Sequence, residues 1–191
     1  DAANQAMLAA INIFGGLDLL ISNAGAAHAG PMLDISNEEL RNAFELNFFS
    51  HYSFSTEAAK ILKDQNRGGQ ILFNISKQAV NPGKNFGAYG LPKATTFFLM
   101  RQLALELGSD GIRVNGINAD RIRSGLLTDD FISSRAKSRG VSESEYMAGN
   151  LLNKEVTAEH VADAFTALAC AESTTGHVMT VDGGNIEASL R

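Results

Sequence analysis

The sequence has little cysteine and proline, no tryptophan and no long apolar run. Its 191 residues include one cysteine, Cys170, so no disulfide framework can form within the chain. Proteins without disulfides are typical of reducing compartments, and we expect a cytoplasmic protein. No apolar run approaches the roughly 20 residues that cross a bilayer, and the first residues lack the basic start and apolar core of a signal peptide. These absences argue against a disulfide-built secreted domain and predict no membrane partner.

Charge and metal-ligand patterns argue against two further classes of protein. The chain carries 16 basic and 21 acidic residues, a net charge of −5, which argues against a nucleic-acid partner held by phosphate neutralisation. The cysteine and histidine residues do not have the spacing of a zinc site, so we predict no metal. With 45% hydrophobic and 19% charged residues, the composition is that of an ordinary globular domain.

Short apolar runs alternate with amphipathic segments along the chain. Each run ends at small and polar residues, which is typical of strands buried on both faces of a parallel sheet. The predicted strands are 17–21, 70–75, 112–117 and 177–181. The predicted helices are 1–14, 36–63, 88–107, two short helices within 119–155, and 157–171. This order predicts an α/β fold with right-handed crossovers and a mostly parallel sheet.

Two of the predicted helices begin at a capping box, in which serine is followed three residues later by glutamate. The pairs are Ser36 with Glu39 and Ser142 with Glu145. The first pair starts a long helix that we expect to continue to about Lys63, and the second starts the later of the two short helices.

The polar residues that follow the strands carry the chemistry, because the carboxyl ends of parallel strands lie at one edge of a sheet. Tyr89 and Lys93 are four residues apart on a predicted helix, which places phenol and amine on one helical face. A lysine cation favours the phenolate, so we expect Lys93 to lower the pKa of Tyr89. Ser76, at a predicted strand end, is placed to hold the oxygen atom that exchanges a proton with the tyrosine.

A tyrosine and a lysine at this spacing also occur on solvated helix faces, and a lone serine there is often only a turn residue. The order and spacing of the whole set is more specific. The set comprises Asn23-Ala24-Gly25, Asn47, Ser76, Tyr89, Lys93, Val114-Asn115 and Val181-Asp182-Gly183-Gly184. It resembles the C-terminal two-thirds of a short-chain dehydrogenase/reductase, over essentially all 191 residues. The resemblance implies a Rossmann-type, mostly parallel sheet with flanking helices.

The resemblance also implies roles for individual residues. The catalytic tetrad of such enzymes corresponds to Asn47, Ser76, Tyr89 and Lys93. Tyr89 would be the general acid and base, and Ser76 would hold the substrate oxygen. Lys93 would bind the nicotinamide ribose, and Asn47 would free a backbone carbonyl for a water of the proton relay; the alternative for Asn47 is a hydrogen-bonded core amide.

The cofactor that the resemblance implies is NAD or NADP. Besides Tyr89 and Lys93, the cofactor-binding residues would be Asn23, Ala24, Gly25, Ile122 and Ser124. The family usually has Pro-Gly after the third of these strands and a threonine shortly after it. Ala119-Asp120 and Ser124 occupy those places here, which departs from the family pattern. Despite this departure, Ile122 and Ser124 would still reach the nicotinamide amide, through a backbone group and a hydroxyl.

One family feature is missing from the sequence. Pyrophosphate binding needs a glycine-rich turn between a first strand and its helix, and the glycine pairs here lie elsewhere, at Gly15-Gly16, Gly68-Gly69 and Gly183-Gly184. The residue that chooses between NAD and NADP is absent too. We therefore expect residues 1–191 to be the C-terminal portion of a single short-chain dehydrogenase domain that lacks its first β-α-β-α-β part.

Several longer stretches carry a closer resemblance. They are 74–83, 89–94, 118–127, 146–152 and 181–186. These stretches are similar to the dehydrogenase half of bacterial bifunctional rhamnulose-1-phosphate aldolase/alcohol or lactaldehyde dehydrogenases. That similarity implies an aldolase domain fused upstream and a small substrate such as lactaldehyde or a deoxy-sugar fragment.

Two further expectations concern substrate and partners. Arg121 and Arg123 flank the strand end that faces the cofactor, and we expect them to grip a polar or anionic substrate. For Arg135, Lys137 and Arg139 a solvated helix face is an equal alternative. The helix 94–107 is apolar around most of its circumference. Packing on the sheet covers only one of its faces, so the remaining apolar surface needs another partner. Because short-chain dehydrogenases commonly pair this helix across a two-fold axis, we expect a homodimer or homotetramer.

The function that these residues predict is hydride transfer between NAD(P) and a small alcohol or carbonyl compound. The first alternative is a truncated, non-catalytic fragment or scaffold, which the missing glycine turn favours. The second is an isomerase or epimerase of the extended branch, which shares the tyrosine and lysine, and Asn23-Ala24-Gly25 argues against it.

Overall fold

Four short strands alternate with helices in the computed structural model, which describes residues 2–185. The strands are β1 (Leu19–Ser22), β2 (Gly69–Asn74), β3 (Ile112–Ala119) and β4 (Val178–Val181). The helices are α1 (Ala2–Phe14), α2 (Asn37–Phe44), α3 (Ser50–Gln65), α4 (Gly87–Leu107), α5 (Asp129–Arg139), α6 (Glu143–Met147) and α7 (Ala158–Cys170). Among residues 2–185, no helix combines the length and the apolar character that a bilayer crossing requires.

The four strands form one parallel sheet in the order β1-β2-β3-β4. The predicted α/β class with flanking helices is therefore confirmed. Because all four strands run in the same direction, their carboxyl ends lie at one edge of the sheet. The segments that follow β1, β2 and β3 contain the residues that the sequence marks as chemical.

Helices cover both faces of the sheet, and β2 shows how. Ile71 and Phe73 point into a buried cluster that includes Leu62 of α3 and Met100 of α4. Leu72, between them, points to the other face and packs with residues of α7. Alternate side chains of one strand thus enter two separate apolar cores, which is why β2 is apolar at consecutive positions.

The segment predicted as one long helix from 36 to 63 is interrupted. Both predicted capping boxes are present, but between α2 and α3 the chain forms a π-helical turn, Glu45–Phe49. The Asn47 side chain explains the interruption, since its Nδ2 donates to the Ala43 carbonyl at 3.1 Å. That carbonyl is the acceptor that the backbone N–H of Asn47 uses in a regular α-helix. Single π turns of this kind are frequent at functional sites.

The packing of α3 on the sheet generates a stability prediction. Leu62 is fully buried, so Leu62→Ala is expected to lower the free energy of unfolding by about 2–5 kcal/mol through lost burial and the cavity left behind. Leu33→Ala is the matched control, because Leu33 is 99% exposed and its truncation is expected to cost less than about 0.5 kcal/mol. Urea unfolding followed by circular dichroism measures both. Equal losses in the two variants would contradict the packing described here.

Candidate active site

A cleft of about 600 Å³ opens at the carboxyl ends of β2 and β3. Its walls come from the turn after β2, the start of α4, the loop after β3, and α5 and α6. The predicted site residues on these walls are Ser76, Tyr89, Arg121, Ile122 and Ser124. The structure therefore brings predicted residues from three separate segments of the chain to one cavity, where a small molecule can reach them.

Tyr89 lies in the first turn of α4, with its side chain mostly buried. Burial raises the pKa of its phenol, while a hydrogen bond from the Ser76 side chain acts in the opposite direction. Ser76 is held in turn, because its Oγ accepts from the backbone N–H of Gln78 at 3.2 Å. The two hydroxyl groups that the sequence pairs are thus in contact at the cleft.

Lys93, one turn further along α4, has its amine in the protein interior, with 2% of the residue exposed. Its Nζ donates to the Asn74 carbonyl at 3.0 Å, at the end of β2. Burial lowers the pKa of Lys93 to about 8. A cation that is expensive to bury is therefore kept beside the cleft by a strand-end carbonyl.

The predicted effect of Lys93 on Tyr89 is not found, because the pKa of Tyr89 is raised and the cause is burial. The Lys93 amine lies 5.8 Å from the centroid of the Tyr89 ring and is bonded to the strand end. Sequence spacing places the two side chains on one face correctly, but burial of the phenol outweighs the opposing hydrogen bond from Ser76.

Asn47 is fully buried and joins three segments at the π turn. Its Nδ2 donates to the Ala26 carbonyl at 2.9 Å, in the loop after β1. The backbone carbonyl that we expected to be free accepts a hydrogen bond from Thr96 Oγ1 at 2.8 Å, so α4 already uses it. Asn47 Oδ1, by contrast, is buried and has no hydrogen-bond partner within residues 2–185.

Gly25 completes this side of the site by close approach. A Cβ atom at Gly25 would lie 2.8 Å from Asn47 Oδ1 and 3.6 Å from Lys93 Nζ. The first distance is too short for a real Cβ atom, so glycine lets the loop after β1 pass this near to Asn47, whereas the second is an ordinary contact distance. Asn23, two residues earlier, accepts a hydrogen bond from Asn74 Nδ2 at 2.7 Å, which fixes this loop against the end of β2.

A buried histidine that we did not predict as a site residue lies behind Lys93. His51, on α3, is 1% exposed. Its Nδ1 is 2.6 Å from Ser22 Oγ and its Nε2 is 3.5 Å from Lys93 Nζ. Burial, aided by the Lys93 charge, lowers the pKa of His51 to about 4, so the ring is neutral at pH 7. A signal in the sequence was available: His51 follows Asn47 by four residues on the same helical segment.

The loop after β3 is held by a charge cluster around Asp120. The Asp120 carboxylate is 3.6 Å from Lys77 Nζ and 3.4 Å from Arg121 Nε. Arg121 has a left-handed backbone with φ of 54°, and its guanidinium donates to the Tyr146 carbonyl at 2.6 Å. Its nitrogen atoms therefore brace the loop.

The remaining predicted residues of this loop divide into two groups. Ile122 packs against the core beside α7 and also reaches the cleft. Ser124 lines the cleft, and its Oγ accepts from the backbone N–H groups of Leu126 and Leu127. Arg123 does not line the cleft: its guanidinium pairs with Asp129 at 2.6 Å and Glu155 at 2.7 Å on the surface. The prediction that Arg123 grips substrate is therefore not supported by its position.

The residues around Lys93 fit one half of a nicotinamide dinucleotide. An ammonium group has three N–H donors, and one N–H of Lys93 is given to the Asn74 carbonyl, so Lys93 keeps donor capacity that suits a ribose hydroxyl. The unpartnered Asn47 Oδ1 lies on the same side, where the loop approaches it at Gly25. The chain offers no corresponding glycine-rich turn for the pyrophosphate, as the sequence indicates.

A parallel sheet with tyrosine, lysine, serine and asparagine at its carboxyl edge defines the class of short-chain dehydrogenases/reductases. The family model described as enoyl-(acyl carrier protein) reductase, which is of this class, matches residues 1–185, and the chain belongs to that family.

Individual relatives agree with this assignment. The chain is 35% identical over 179 residues to the uncharacterized oxidoreductase YuxG of Bacillus subtilis, with 90% of this chain and 26% of YuxG covered. It is 32% identical over 180 residues to the 7alpha-hydroxysteroid dehydrogenase of Escherichia coli, covering 93% of this chain and 67% of that enzyme. The crystal structure of carveol dehydrogenase from Mycobacterium avium in complex with NAD shares the fold, with a TM-score of 0.89, 21% identity, and coverage of 97% and 70%. The chain thus spans about a quarter of YuxG and about two thirds of the others.

The buried imidazole generates a prediction on acid stability. Below pH 6.5 an unfolded chain protonates His51, whereas the folded protein does so only near pH 4. The wild type is therefore expected to lose free energy of unfolding as the pH falls through this window, by at most about 3 kcal/mol from this group. His51→Leu lacks this titrating group and its loss. The free energy of unfolding of the variant, relative to that of the wild type, therefore rises as the pH falls. Denaturant titrations at a series of pH values measure it.

The control is His177→Leu, which removes an exposed histidine. It is expected to follow the wild-type dependence on pH. If the free energy of unfolding of His51→Leu depends on pH as that of the wild type does, the folded protein protonates the His51 ring as readily as the unfolded chain.

Proposed function

We propose that this chain carries the catalytic part of an NAD(P)-dependent oxidoreductase that interconverts a small alcohol and its carbonyl compound. The observation that supports it best is the contact of the Tyr89 phenol with Ser76 at a cleft, with the amine of Lys93 one turn away on the same helix. Family membership supports the same reaction class.

In this mechanism the chain's own residues handle the proton. A bound nicotinamide supplies the chemistry of hydride transfer to or from the substrate carbon. In carbonyl reduction Tyr89 would give its hydroxyl proton to the carbonyl oxygen, and in alcohol oxidation it would take a proton back from the hydroxyl group of the substrate. Ser76 donates a hydrogen bond to the same oxygen, and Lys93 holds the ribose. Burial keeps the Tyr89 phenol protonated, and a protonated phenol is ready to act as the acid.

The cofactor assignment rests on the polar groups of Lys93 and Asn47 beside Gly25 and on the NAD held by a carveol dehydrogenase of the same fold. We propose NAD or NADP without a preference, because the chain lacks the residue that selects between them. For substrate we propose a small hydroxy-aldehyde, such as lactaldehyde or a deoxy-sugar fragment.

We further propose kinship with the dehydrogenase half of bifunctional rhamnulose-1-phosphate aldolase/lactaldehyde dehydrogenases. The match to only 26% of YuxG fits a dehydrogenase segment within a much larger polypeptide. The non-catalytic alternative is not favoured, since a scaffold has no need to gather Ser76, Tyr89 and Lys93 around one cleft.

Replacing the proposed acid tests the function directly. Tyr89→Phe is expected to lower kcat/KM by about 10²–10⁴-fold, because it removes the proton donor while keeping the ring. The measurement is the absorbance of the reduced nicotinamide during turnover of lactaldehyde or 1,2-propanediol by the full-length protein.

Tyr52→Phe is the matched control, because Tyr52 is 47% exposed on α3, and it is expected to retain wild-type activity. Wild-type turnover by Tyr89→Phe would refute the proposed role of the phenol.

We also propose that α3 and α4 pair with a second copy of the chain, in a homodimer or homotetramer. One face of α4 covers the sheet, but Phe98 and Leu105 on the opposite face are 68% and 79% exposed. Tyr52 of α3 and Phe49 of the π turn add to this exposed apolar surface. Burial of such side chains against a second copy is the usual fate of a large apolar patch.

The double variant Phe98→Glu/Leu105→Glu is expected to shift the protein toward the monomer, because pairing would bury four like charges per dimer. Light scattering coupled to gel filtration measures the mass. Leu33→Glu, a change of the same kind at an exposed site on another segment, is expected to leave the mass unchanged. An unaltered oligomer in the double variant would place the interface elsewhere.

A further inference from the structure

The cleft has the opposite charge to the chain as a whole. The chain has a net charge of −5, yet five cationic side chains and one carboxylate line the cleft. The cations are Lys77, Lys84, Arg121, Arg135 and Arg139, and the carboxylate is that of Asp120. A concave surface lined by one sign of charge focuses the electrostatic potential and attracts small ions of the other sign.

Two of these cations are compensated within the protein. Asp120 lies within ion-pair distance of Lys77 and Arg121. Lys84, Arg135 and Arg139 form no ion pair with any carboxylate in the part of the chain that the structure describes. Three positive charges on the cleft wall are therefore left for a ligand.

Arg135 is the best placed of the three. It lies on α5 and is half-buried, and its Nε is buried without a hydrogen-bond partner among residues 2–185. Its guanidinium carbon is 6.0 Å from the centroid of Phe86, which lies three residues before Tyr89 and also lines the cleft. The ring contacts the guanidinium in a cation–π interaction, and a buried N–H without an acceptor is costly. An anionic ligand on the cleft wall would compensate the unpaired charge of this guanidinium.

Arg139 extends the same surface. It follows Arg135 by four residues on α5, so both side chains lie on one helical face. Its guanidinium carbon is 5.3 Å from the centroid of Tyr146, another cleft residue. Two arginines braced by aromatic rings form a wall suited to planar or tetrahedral oxyanions, which accept several N–H groups at once.

We propose that Arg135, assisted by Arg139, is a subsite for a compact anionic group, a carboxylate or a phosphate, on the substrate itself. This proposal rests on the proposed oxidoreductase function and deepens it, because it replaces neutral lactaldehyde by a small alcohol or carbonyl compound that carries an anionic group. Its anion binds α5 while its reacting oxygen faces Tyr89 and Ser76 across the cleft.

The test compares substrate pairs that differ in charge: glyceraldehyde with glyceraldehyde 3-phosphate, and butyraldehyde with succinic semialdehyde. The wild-type full-length protein is expected to prefer the anionic member of at least one pair by about tenfold or more in kcat/KM. Arg135→Gln is expected to lower kcat/KM for the preferred anionic substrate by about 10–100-fold, the usual effect of losing hydrogen bonds to a charged group. The neutral substrates are expected to be unaffected. Lys137→Gln, an equal charge change on the exposed face of α5, is the control. It is expected to leave kcat/KM unchanged for both the anionic and the neutral substrates.

Calorimetry gives a readout that does not depend on turnover: glyceraldehyde 3-phosphate is expected to bind the wild type and Lys137→Gln, and to bind Arg135→Gln more weakly. Equal loss on neutral and anionic substrates would overturn the subsite by showing that Arg135 is structural. If Arg135→Gln raised the KM for the dinucleotide and not that for the substrate, Arg135 and Arg139 would be assigned to the cofactor phosphates, and the subsite would be overturned. Absence of all turnover, with anion binding that still depends on Arg135, would support the subsite and refute the proposed oxidoreductase function.

Discussion

The buried amine of Lys93 sets the conditions that the surrounding structure meets. An ammonium group taken out of water is stable only where oxygen or nitrogen acceptors replace its hydration. The end of β2 supplies the Asn74 carbonyl and α3 supplies the His51 ring. Because burial also lowers the pKa of Lys93 to about 8, the amine stays close to its titration range at neutral pH. The charge beside the cleft therefore depends on how three separate segments pack.

That requirement accounts for the polar residues behind the cleft. The His51 ring lies between Ser22 Oγ at the end of β1 and Lys93 Nζ on α4, and a hydrogen bond to the Ala24 backbone ties it to the loop after β1. Thr96, three residues after Lys93, ties α4 to the π turn through the Asn47 carbonyl. Ser22 of β1 contacts His51 of α3, His51 contacts Lys93 of α4, and Lys93 donates to the end of β2. The cleft is thus supported by a connected set of hydrogen bonds from β1 to α4.

The fold was largely predictable from the sequence, because its signals are local. Apolar runs locate the strands, and serine–glutamate pairs locate the starts of α2 and α6. Two features were not accessible in this way. His51 contacts Lys93 from 42 residues away, and its spacing of four residues from Asn47 does not by itself reveal that contact. The direction of the Tyr89 pKa shift depends on burial, which spacing along a helix does not reveal.

The arginines show the same limit at the cleft. Arg123 is nearer in sequence to the strand end, yet Asp129 and Glu155 hold it on the surface. Arg135, for which a solvated face was an equal alternative, lines the cavity because α5 turns that side toward Phe86. The sequence shows how many cationic residues a segment contains. Which of them meets a ligand is decided by the packing of the helix.

The residue at position 120 shows how a strand end can set the specificity of such a site. The resemblance leads one to expect glycine there, and a glycine would leave all five cations of the cleft uncompensated. Asp120 instead neutralises Lys77 and Arg121 and accepts a hydrogen bond from Asn185 after β4. It thereby turns two cations into braces of the loop and confines the free positive charge to Lys84 and the α5 wall. Whether residue 120 is glycine or aspartate, the turn after β2 and the start of α4 position the proton-transfer groups of Ser76 and Tyr89. A single carboxylate on the neighbouring loop can therefore change which ligands the cleft attracts without altering the chemistry it can perform.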